Sequence, residues 1–148
     1  MSAEQNKAVA RRIPTEMYTQ GNLSVADEVF AADYVEHHPL PPGFPTGREA
    51  VKRFVSGMRS AFPDLNYTVD DIFAEDDRVA VRLTGRGTHQ GRWELLPLPP
   101  TGRTVSWTEM HICRMAGGQL VEHWPVIDQL ALLQQLGAVP EGDPAHVS

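Results

Sequence analysis

Apolar side chains recur every three to four positions in the first third of the chain, and this spacing predicts helices. The first helix covers about the first twenty residues, and Pro14 predicts a kink or a late start because proline lacks a backbone N–H group. Ser24 with Asp27, and Thr46 with Glu49, have the spacing of a capping box, which predicts two further helix starts. The second start precedes an apolar stripe that predicts packing of one helix face on a sheet: Val51, Phe54, Val55, Met58 and Ala61.

The apolar period changes to two from Leu65 onward, which predicts β-strands. Residues 65–74 and 78–88 predict an antiparallel pair, because only a short acidic break separates them. Residues 93–102 contain three prolines and therefore do not form a central strand. Since this segment also carries three leucines, we expect an apolar loop that acts as a lid.

The last third of the chain predicts a β-hairpin and a final short helix. The hairpin arms are residues 104–115 and 119–127, and the helix covers residues 129–136 before a glycine. Helices first and antiparallel strands afterwards predict an α+β fold, with three to four helices packed on one face of a curved, mostly antiparallel sheet. A single domain is expected over residues 1–137, followed by a loose tail at 138–148 that contains proline and glycine.

The composition is that of an ordinary globular protein of 148 residues, with 41% hydrophobic and 22% charged residues. No apolar run approaches the roughly 20 residues of a membrane span, so we expect no membrane contact. The first residues lack an apolar signal core, and the single cysteine, Cys113, cannot form an internal disulfide, which together predict a cytoplasmic location. A net charge of -6 without a basic cluster argues against nucleic acid as a partner, since phosphate contacts need lysine or arginine.

The predicted hairpin carries polar side chains where core residues belong. Trp107, Glu109 and His111 alternate on one face of its first arm, and His123 lies in the second arm. A buried ionisable group costs several kcal/mol unless it is paired, neutral or facing a cavity. These side chains therefore predict a small-molecule pocket.

Two hairpin registers remain open, and they place different residues of the second arm on this face. A three-residue loop at 116–118 puts His111 opposite His123 and Glu109 opposite Pro125. A two-residue turn made by the glycines puts a different set on the face: Trp124, Val126 and Asp128. Only the first register brings a histidine pair into the pocket.

Several segments, taken together in their order and spacing, resemble the SnoaL-like polyketide cyclase family, whose members are also known as ester cyclases. The segments are YVEHHPLPPGFPTGREAVKRF, AFPDLNYTV, RGTHQG, LPPTGRTV and LVEHWPVID followed by LLQQLG, and they span nearly the whole chain. The resemblance implies a cone-shaped α+β barrel of the nuclear-transport-factor-2-like superfamily, shared with ketosteroid isomerase, with a deep apolar cavity and no metal or cofactor. It also implies a hydrophobic small-molecule substrate and assembly into homodimers or homotetramers.

The resemblance also implies roles for individual residues. His111, His123 and His89 match histidines of the family, and family pocket residues fall at the positions of His111 and Pro125, which favours the three-residue loop. The aldol-condensing members carry their catalytic aspartate at the position of Pro125 in this chain. Because proline neither accepts nor donates a proton, that mechanism does not carry over unchanged.

Glu109 is the carboxyl group that can replace the missing aspartate. Burial on an apolar wall raises the pKa of a glutamate, and a neighbouring imidazolium opposes that rise. We expect proton abstraction beside a carbonyl by Glu109 or His123, with His111 donating a hydrogen bond to the enolate. The same three side chains could form a two-histidine, one-carboxylate metal set. The family works without metal, however, and the chain has none of the common nucleotide or zinc motifs.

Further side chains are candidates for substrate binding, and most have a structural alternative. Trp107 and Trp124 line a cavity wall or belong to the core. Glu36, His37 and His38 lie at a pocket edge or in a solvated loop. Asp128 orients a histidine or caps the last helix. The full set is Trp107, His89, His37, Tyr18, Trp124 and Asp128.

Three classes of function remain open. The first is a cofactor-independent acid–base enzyme that acts on a hydrophobic carbonyl-containing or polycyclic molecule, as a cyclase, isomerase or hydrolase. The second is a non-catalytic protein that binds a small ligand in the same cavity, and Pro125 favours it. The third is an interaction module that uses the outer sheet face instead of the cavity.

Overall fold

The structure, a computed structural model, describes residues 1–140 and has an α+β fold. The helices are α1 (Ala3–Arg12), α2 (Ser24–Val29), α3 (Gly47–Ala61) and α4 (Gln129–Gln135). The strands are β1 (Phe30–Glu36), β2 (Asn66–Glu75), β3 (Arg78–Thr88), β4 (Thr104–Ala116) and β5 (Gln119–Ile127). The predicted loose tail lies outside the described residues from position 141 onward.

The five strands form one sheet in the order β1-β5-β4-β3-β2. All neighbouring strands are antiparallel except β1 and β5, which are parallel. The predicted α+β fold, with four helices on a mostly antiparallel sheet, is confirmed, although the sheet is open at β1 and β2 instead of closed into a barrel. Among the described residues, no helix is both long and apolar enough to cross a membrane.

The first helical region changes its geometry at the proline. α1 ends at Arg12, and the chain continues as a π-helical segment, Ile13–Thr19. The Thr19 hydroxyl donates to the Pro14 carbonyl oxygen at 2.8 Å, so a side chain satisfies a backbone group of the wider turn. Such π-helical segments are rare and often lie at functional sites. This one contains Tyr18, whose side chain is buried.

Both predicted capping boxes are absent. Leu23, not Ser24, precedes α2, and Thr46 precedes α3 without a side-chain hydrogen bond to the helix. A capping box does form at α1, where the Ser2 hydroxyl accepts from the Gln5 N–H and the Gln5 side chain accepts from the Ser2 N–H. The helix starts at α2 and α3 therefore depend on tertiary packing more than on capping.

The turn of the β4–β5 hairpin differs from the preferred prediction. Gly117 and Gly118 form a two-residue turn with φ values of 58° and 81°, a left-handed conformation that favours glycine in such turns. A β-bulge then shifts the pairing between Arg114 and Met115. Because a bulge adds one residue to one strand, it reverses the inward and outward positions along the rest of β5.

The bulge returns the second histidine to the inner face. The strand partners are Cys113 with His123, His111 with Pro125, and Glu109 with Ile127. The predicted direct pairing of His111 with His123 is therefore wrong, because the turn is one residue shorter than expected and the bulge shifts the pairing by one residue more. Their shared inward orientation results from the bulge, and only 6% of His111 and 4% of His123 are exposed.

The segment between β3 and β4 is a loop, as its prolines predict. The loop is closed at its base by His89, whose N–H donates to the Arg103 carbonyl at 2.9 Å and whose carbonyl accepts from the Gly102 N–H at 2.8 Å. The Trp93 ring packs edge-on against Phe54 of α3, with ring centroids 5.0 Å apart. The loop is thereby fixed both to the sheet and to α3.

Candidate active site

Two adjoining cavities lie against the inner face of the sheet. The narrower has a volume of about 40 Å³, and the wider has a volume of about 430 Å³, within the range of small-molecule sites. The side chains that line both are His38, Phe54, Glu109 and Ile127. Glu109 is the only carboxyl group among the described residues that line the wider cavity, so the two cavities meet at a single acidic group.

A continuous line of hydrogen bonds runs along the narrower cavity. Glu36 Oε1 lies 2.8 Å from His123 Nδ1. His123 Nε2 lies 2.8 Å from His111 Nδ1, and His111 Nε2 lies 2.8 Å from Glu109 Oε1. Strand pairing sets this order, because Glu36 of β1 is the partner of His123 in the parallel pair. All four ring nitrogens of the two histidines are therefore engaged.

Glu109 accepts hydrogen bonds from three side chains. The Tyr67 hydroxyl and Trp107 Nε1 both donate to Oε2, the latter at 2.7 Å, and His111 donates to Oε1. Burial raises the pKa of Glu109, but the hydrogen bonds from His111, Tyr67 and Trp107 outweigh burial and lower the pKa below its ordinary value. The two opposing effects expected from the sequence are both present, and the hydrogen bonds prevail, so Glu109 is a carboxylate at neutral pH.

The opposite end of the line, Glu36, is also ionised at neutral pH. Burial raises the pKa of Glu36, but the hydrogen bonds from His123 and from the backbone N–H of His38 lower it overall. The His38 N–H donates to Glu36 Oε2 at 3.1 Å. For His123, burial lowers the pKa, and the hydrogen bond to Glu36 only partly opposes this effect. His123 is consequently a weak base between two carboxylate ends.

Tyr18 lines the narrower cavity from the π-helical segment. Its ring centroid lies 5.1 Å from that of Tyr67. Burial raises the pKa of the Tyr18 hydroxyl well above its ordinary value, and the negative charges of Glu109 and Glu36 raise it further. The hydroxyl therefore stays protonated and is a candidate donor to a molecule in the narrower cavity.

His37 and Trp124 line neither cavity, in contrast to their predicted role in substrate binding. Their rings stack on each other with centroids 4.8 Å apart and an angle of 2° between the planes. His37 Nε2 also lies 2.8 Å from Glu122 Oε2. Strand geometry explains this placement, because residues adjacent to the inward-facing His123 and Glu36 point to the outer face of the sheet.

Asp128 and His89 also lie outside the lining of both cavities. The Asp128 side chain accepts a hydrogen bond from the Ala131 N–H at 3.1 Å, so it caps α4. His89 is fully buried, and its Nδ1 accepts from the Thr101 N–H at 3.2 Å. Its ring lies 5.5 Å from that of Phe62. These contacts give both residues structural positions, and their part in substrate binding stays a prediction.

Two site residues were missed by the sequence analysis, Tyr34 and Tyr67, whereas Glu36 and His38 of the pocket-edge candidates do line the narrower cavity. Tyr34, Glu36 and His38 are separated by single residues, so they share one face of β1 and its extension. The alternation was a usable signal. It does not indicate which face points inward, and His37 was chosen from the opposite face.

Tyr67 reaches Glu109 across a glycine. Tyr67 of β2 pairs with Gly85 of β3, and Gly85 pairs with Trp107 of β4. A Cβ atom at Gly85 would lie 2.6 Å from the Trp107 ring. The absence of a side chain at this position therefore leaves room for the indole, whose Nε1 donates to Glu109.

The metal alternative has no support in the geometry of residues 1–140. Within this range, no group of three or more histidine, cysteine, aspartate or glutamate side chains is arranged to hold a metal ion. Glu109, His111 and His123, the set considered from the sequence, are instead joined in a line by hydrogen bonds through their ring nitrogens.

Comparison with known proteins identifies the family. A model described as SnoaL-like polyketide cyclase matches residues 8–136. The nogalonic acid methyl ester cyclase of Streptomyces nogalater is 30% identical over 124 residues, which cover 81% of this chain and 89% of that protein. TsrD from Streptomyces laurentii has a similar structure, with a TM-score of 0.83 and 25% identity over 94% of this chain and 99% of that one. IdmH from Streptomyces antibioticus gives a TM-score of 0.76 and 34% identity over 90% and 99% of the two chains. The chain therefore belongs to the SnoaL-like polyketide cyclase family, which confirms the resemblance seen in its sequence.

Proposed function

We propose that this chain is a cofactor-independent cyclase that closes a carbon ring in a hydrophobic polyketide by acid–base catalysis. Its family supports cyclase activity at a general level. The observation that carries the proposal is the Glu109 carboxylate, which lines both the narrower and the wider cavity. Only 3% of Glu109 is exposed, so a bound substrate would meet this group with little competing water.

Glu109 is the base in this proposal. All four ring nitrogens of His111 and His123 are engaged in hydrogen bonds. Among residues 1–140, in contrast, only His111 donates a hydrogen bond to Glu109 Oε1, so this oxygen keeps a lone pair for a substrate proton. Because its hydrogen bonds lower the pKa of Glu109, the group is already ionised when the substrate binds.

The proposed reaction is an intramolecular aldol addition. Glu109 removes a proton from a carbon between two carbonyl groups, which leaves an enolate on the substrate. That carbon forms a bond to a second carbonyl carbon of the same molecule, and the C=O electron pair becomes an alkoxide. The alkoxide takes up a proton, so the product is an isomer of the substrate. Tyr18 is the proposed donor of a hydrogen bond to the developing oxyanion.

The wider cavity favours a large, uncharged substrate. Its walls are mainly apolar side chains from α3, α4 and the loop between β3 and β4. No lysine or arginine is among the described residues that line either cavity, so a substrate carboxylate would lie near Glu109 without a counter-charge. An ester avoids this cost, in agreement with the S. nogalater relative being a methyl ester cyclase. We therefore propose a polyketide ester, not the free acid, as the substrate.

Nogalonic acid methyl ester and its free acid test this proposal. We expect the ester to be converted to a product of the same mass and the free acid to remain unchanged. Glu109→Gln should lower turnover by roughly 10²- to 10⁴-fold, the contribution of a positioned proton-transfer group, while the ester still binds. Glu122→Gln is the matched control, because Glu122 also contacts a histidine, His37, but on the outer face.

The possible outcomes test two questions separately: whether Glu109 is the base, and whether the protein is an enzyme or a non-catalytic carrier. Full turnover by Glu109→Gln contradicts the assignment of the base. Binding of the ester by the wild-type protein without any turnover contradicts the cyclase and supports the non-catalytic carrier instead.

We also propose that copies of the chain associate through the outer face of the sheet. Large apolar side chains are exposed there, including Phe73 at 67%, Met110 at 57% and Val126 at 70%. Met110 and Val126 are strand partners, so their side chains are adjacent, and exposed apolar patches favour association. Sedimentation equilibrium should give a dimer or tetramer for the wild-type chain and a monomer for Met110→Glu. A wild-type monomer would contradict the proposal.

The proposed location is the cytoplasm. Cys113 is the single cysteine and is a buried free thiol. Disulfides are rare in reducing compartments, so a chain without one is suited to the cytoplasm. Fractionation of the producing cells checks this location.

A further inference from the structure

The hydrogen-bonded line from Glu36 through His123 and His111 to Glu109 has a fixed proton requirement. Each of its three contacts is 2.8 Å long, which is the length of a strong hydrogen bond. Each contact needs one proton between its two heavy atoms, since two lone pairs repel each other at this distance. The line therefore needs one proton for every contact.

Two neutral histidines and two ionised glutamates do not supply enough protons. A neutral imidazole carries a single N–H and an ionised carboxylate carries none, so together the two rings satisfy only two of the three contacts. The third proton makes one histidine an imidazolium or one glutamate a neutral acid. In either case the four groups together carry a single net negative charge.

We propose that Glu36, His123, His111 and Glu109 form a proton relay, and that Glu36 is a positioning residue at its solvent-side end. The side chain of Glu36 is 21% exposed, whereas that of Glu109 is 3% exposed. The relay thus joins the base at the two cavities to a carboxylate that water reaches. Its role in turnover rests on the proposed cyclase function, but its proton content does not.

The surrounding residues leave the shared proton inside the relay. The titratable groups that face it from the neighbouring elements are Tyr18, Tyr34, His38, Tyr67 and Cys113. Burial raises the pKa of all three tyrosines and of the Cys113 thiol, so none of them is an anion at neutral pH. No lysine or arginine is among the described residues that line the narrower cavity.

The third proton lies on the histidine pair, because the pKa of Glu36 and the pKa of Glu109 are both lowered and both groups are ionised. Burial lowers the pKa of His123, and the charge of His111 lowers it further, whereas the hydrogen bond to Glu36 opposes both effects. The two rings together then carry three N–H protons, one for the contact with Glu109, one for the contact with Glu36 and one shared between the rings. This arrangement gives each contact its proton.

The relay supplies a route for the proton of the proposed reaction. When Glu109 takes a proton from the substrate carbon, the proton between the two rings can move onto His123 and the proton between His123 and Glu36 can move onto Glu36. All four groups are then neutral, and each of the three contacts still holds a proton. The reverse movement restores the Glu36 carboxylate while Glu109 gives its proton to the alkoxide, so the relay is unchanged after a complete cycle.

Nitrogen-15 NMR of the imidazole rings tests the proton count in the wild-type protein without any substrate. At neutral pH we expect one histidine of the pair to have two protonated ring nitrogens and the other to have one. Glu36→Gln keeps an oxygen acceptor for His123 but removes a negative charge, so its histidine pair should lose the shared proton at lower pH. Glu122→Gln should titrate as the wild-type protein does. Two neutral rings in the wild-type protein, or an unchanged titration in Glu36→Gln, would overturn the relay.

Turnover of the ester tests the role of the relay separately from the role of Glu109 as the base. Glu36→Gln should lower kcat by about 10²-fold, the lower end for a positioned proton-transfer group, with KM unchanged and the pH profile shifted. Glu36→Asp should recover part of the loss, because it restores a carboxylate. An unchanged kcat and pH profile in Glu36→Gln would overturn the role of the relay and leave Glu109 as the base. If the wild-type protein converts no polyketide ester, the cyclase proposal fails, and the NMR proton count still decides the relay.

Discussion

Replacing Tyr67 with phenylalanine removes one of the three donors to Glu109 and changes little else. The Tyr67 hydroxyl donates to Glu109 Oε2 and contacts the sulfur of Met58 at 3.2 Å. Its ring packs against Tyr18 and Trp107, with centroid distances of 5.1 and 6.1 Å, and a phenylalanine ring keeps both contacts. The variant therefore tests whether donated hydrogen bonds keep Glu109 ionised.

The negative charge of Glu109 determines how much unfolding free energy Tyr67→Phe should lose. A hydrogen bond to a charged group contributes about 1.5–3 kcal/mol, and both partners are buried, so water does not replace the lost donor. Tyr67→Phe should therefore lower the free energy of unfolding by about 1.5–3 kcal/mol at neutral pH. Because two donors then oppose the effect of burial instead of three, the pKa of Glu109 should rise.

The pH dependence of stability is the sharper check. A glutamate with a lowered pKa stabilises the folded state above its ordinary pKa of 4.5, and this contribution is lost as the pH falls through the folded-state pKa. The difference in unfolding free energy between Tyr67→Phe and the wild-type protein should therefore be largest at neutral pH and shrink in acid. Urea unfolding at several pH values measures this difference.

Tyr18→Phe is the control for this experiment. The Tyr18 ring is buried beside Tyr67, but Glu109 accepts its hydrogen bonds from other residues. The control should therefore leave the pH dependence of stability unchanged. A loss in Tyr67→Phe that stays constant with pH, or that Tyr18→Phe reproduces, would refute the reasoning.

Two further substitutions test the surroundings of the site. At Gly57→Ala, the added Cβ would lie 2.1 Å from Cδ1 of Trp93. The overpacking cost of about 1–3 kcal/mol should exceed the roughly 0.5–1 kcal/mol gained in helix propensity, so urea unfolding should show a net loss and tryptophan fluorescence should change. Asp128→Ala should lower the unfolding free energy by about 1 kcal/mol through loss of the α4 cap and leave KM for the ester unchanged. A raised KM would return Asp128 to substrate binding.

The sequence predicts the chemistry of β4 but not the register of the hairpin. Alternation alone puts Trp107, Glu109 and His111 on one face, and all three are buried there. The orientation of β5 depends on a bulge opposite Arg114 and Met115, and no turn or proline marks that bulge in the sequence. The resemblance to the family predicted the inward orientation of His123 correctly, although the three-residue turn from which it was inferred is not the turn that forms.

Glu36 could not be placed because its partner is distant along the chain. The contact between Glu36 and His123 joins residues 87 positions apart, through the parallel pair of β1 and β5. Periodicity reports on neighbours within one strand, whereas pairing between strands is set by the topology of the whole sheet. For the same reason the net direction of the Glu109 pKa shift stayed open, since one of its donors, Tyr67, comes from β2.

Pro125 is compatible with this site because the carboxylate comes from the neighbouring strand. Glu36, the last residue of β1, pairs with His123, so Pro125 lies beyond the β1 pairing, where a missing N–H costs the sheet no hydrogen bond to β1. Pro125 is the strand partner of His111, and Glu109 lies two residues from His111 on the same face of β4. The aspartate of the resembled aldol cyclases and Glu109 of this chain therefore approach one cavity from adjacent strands. Burial at this place on β4 raises the pKa of the carboxyl group, and the hydrogen bonds from the three donors to Glu109 more than offset that rise, so the group stays a carboxylate.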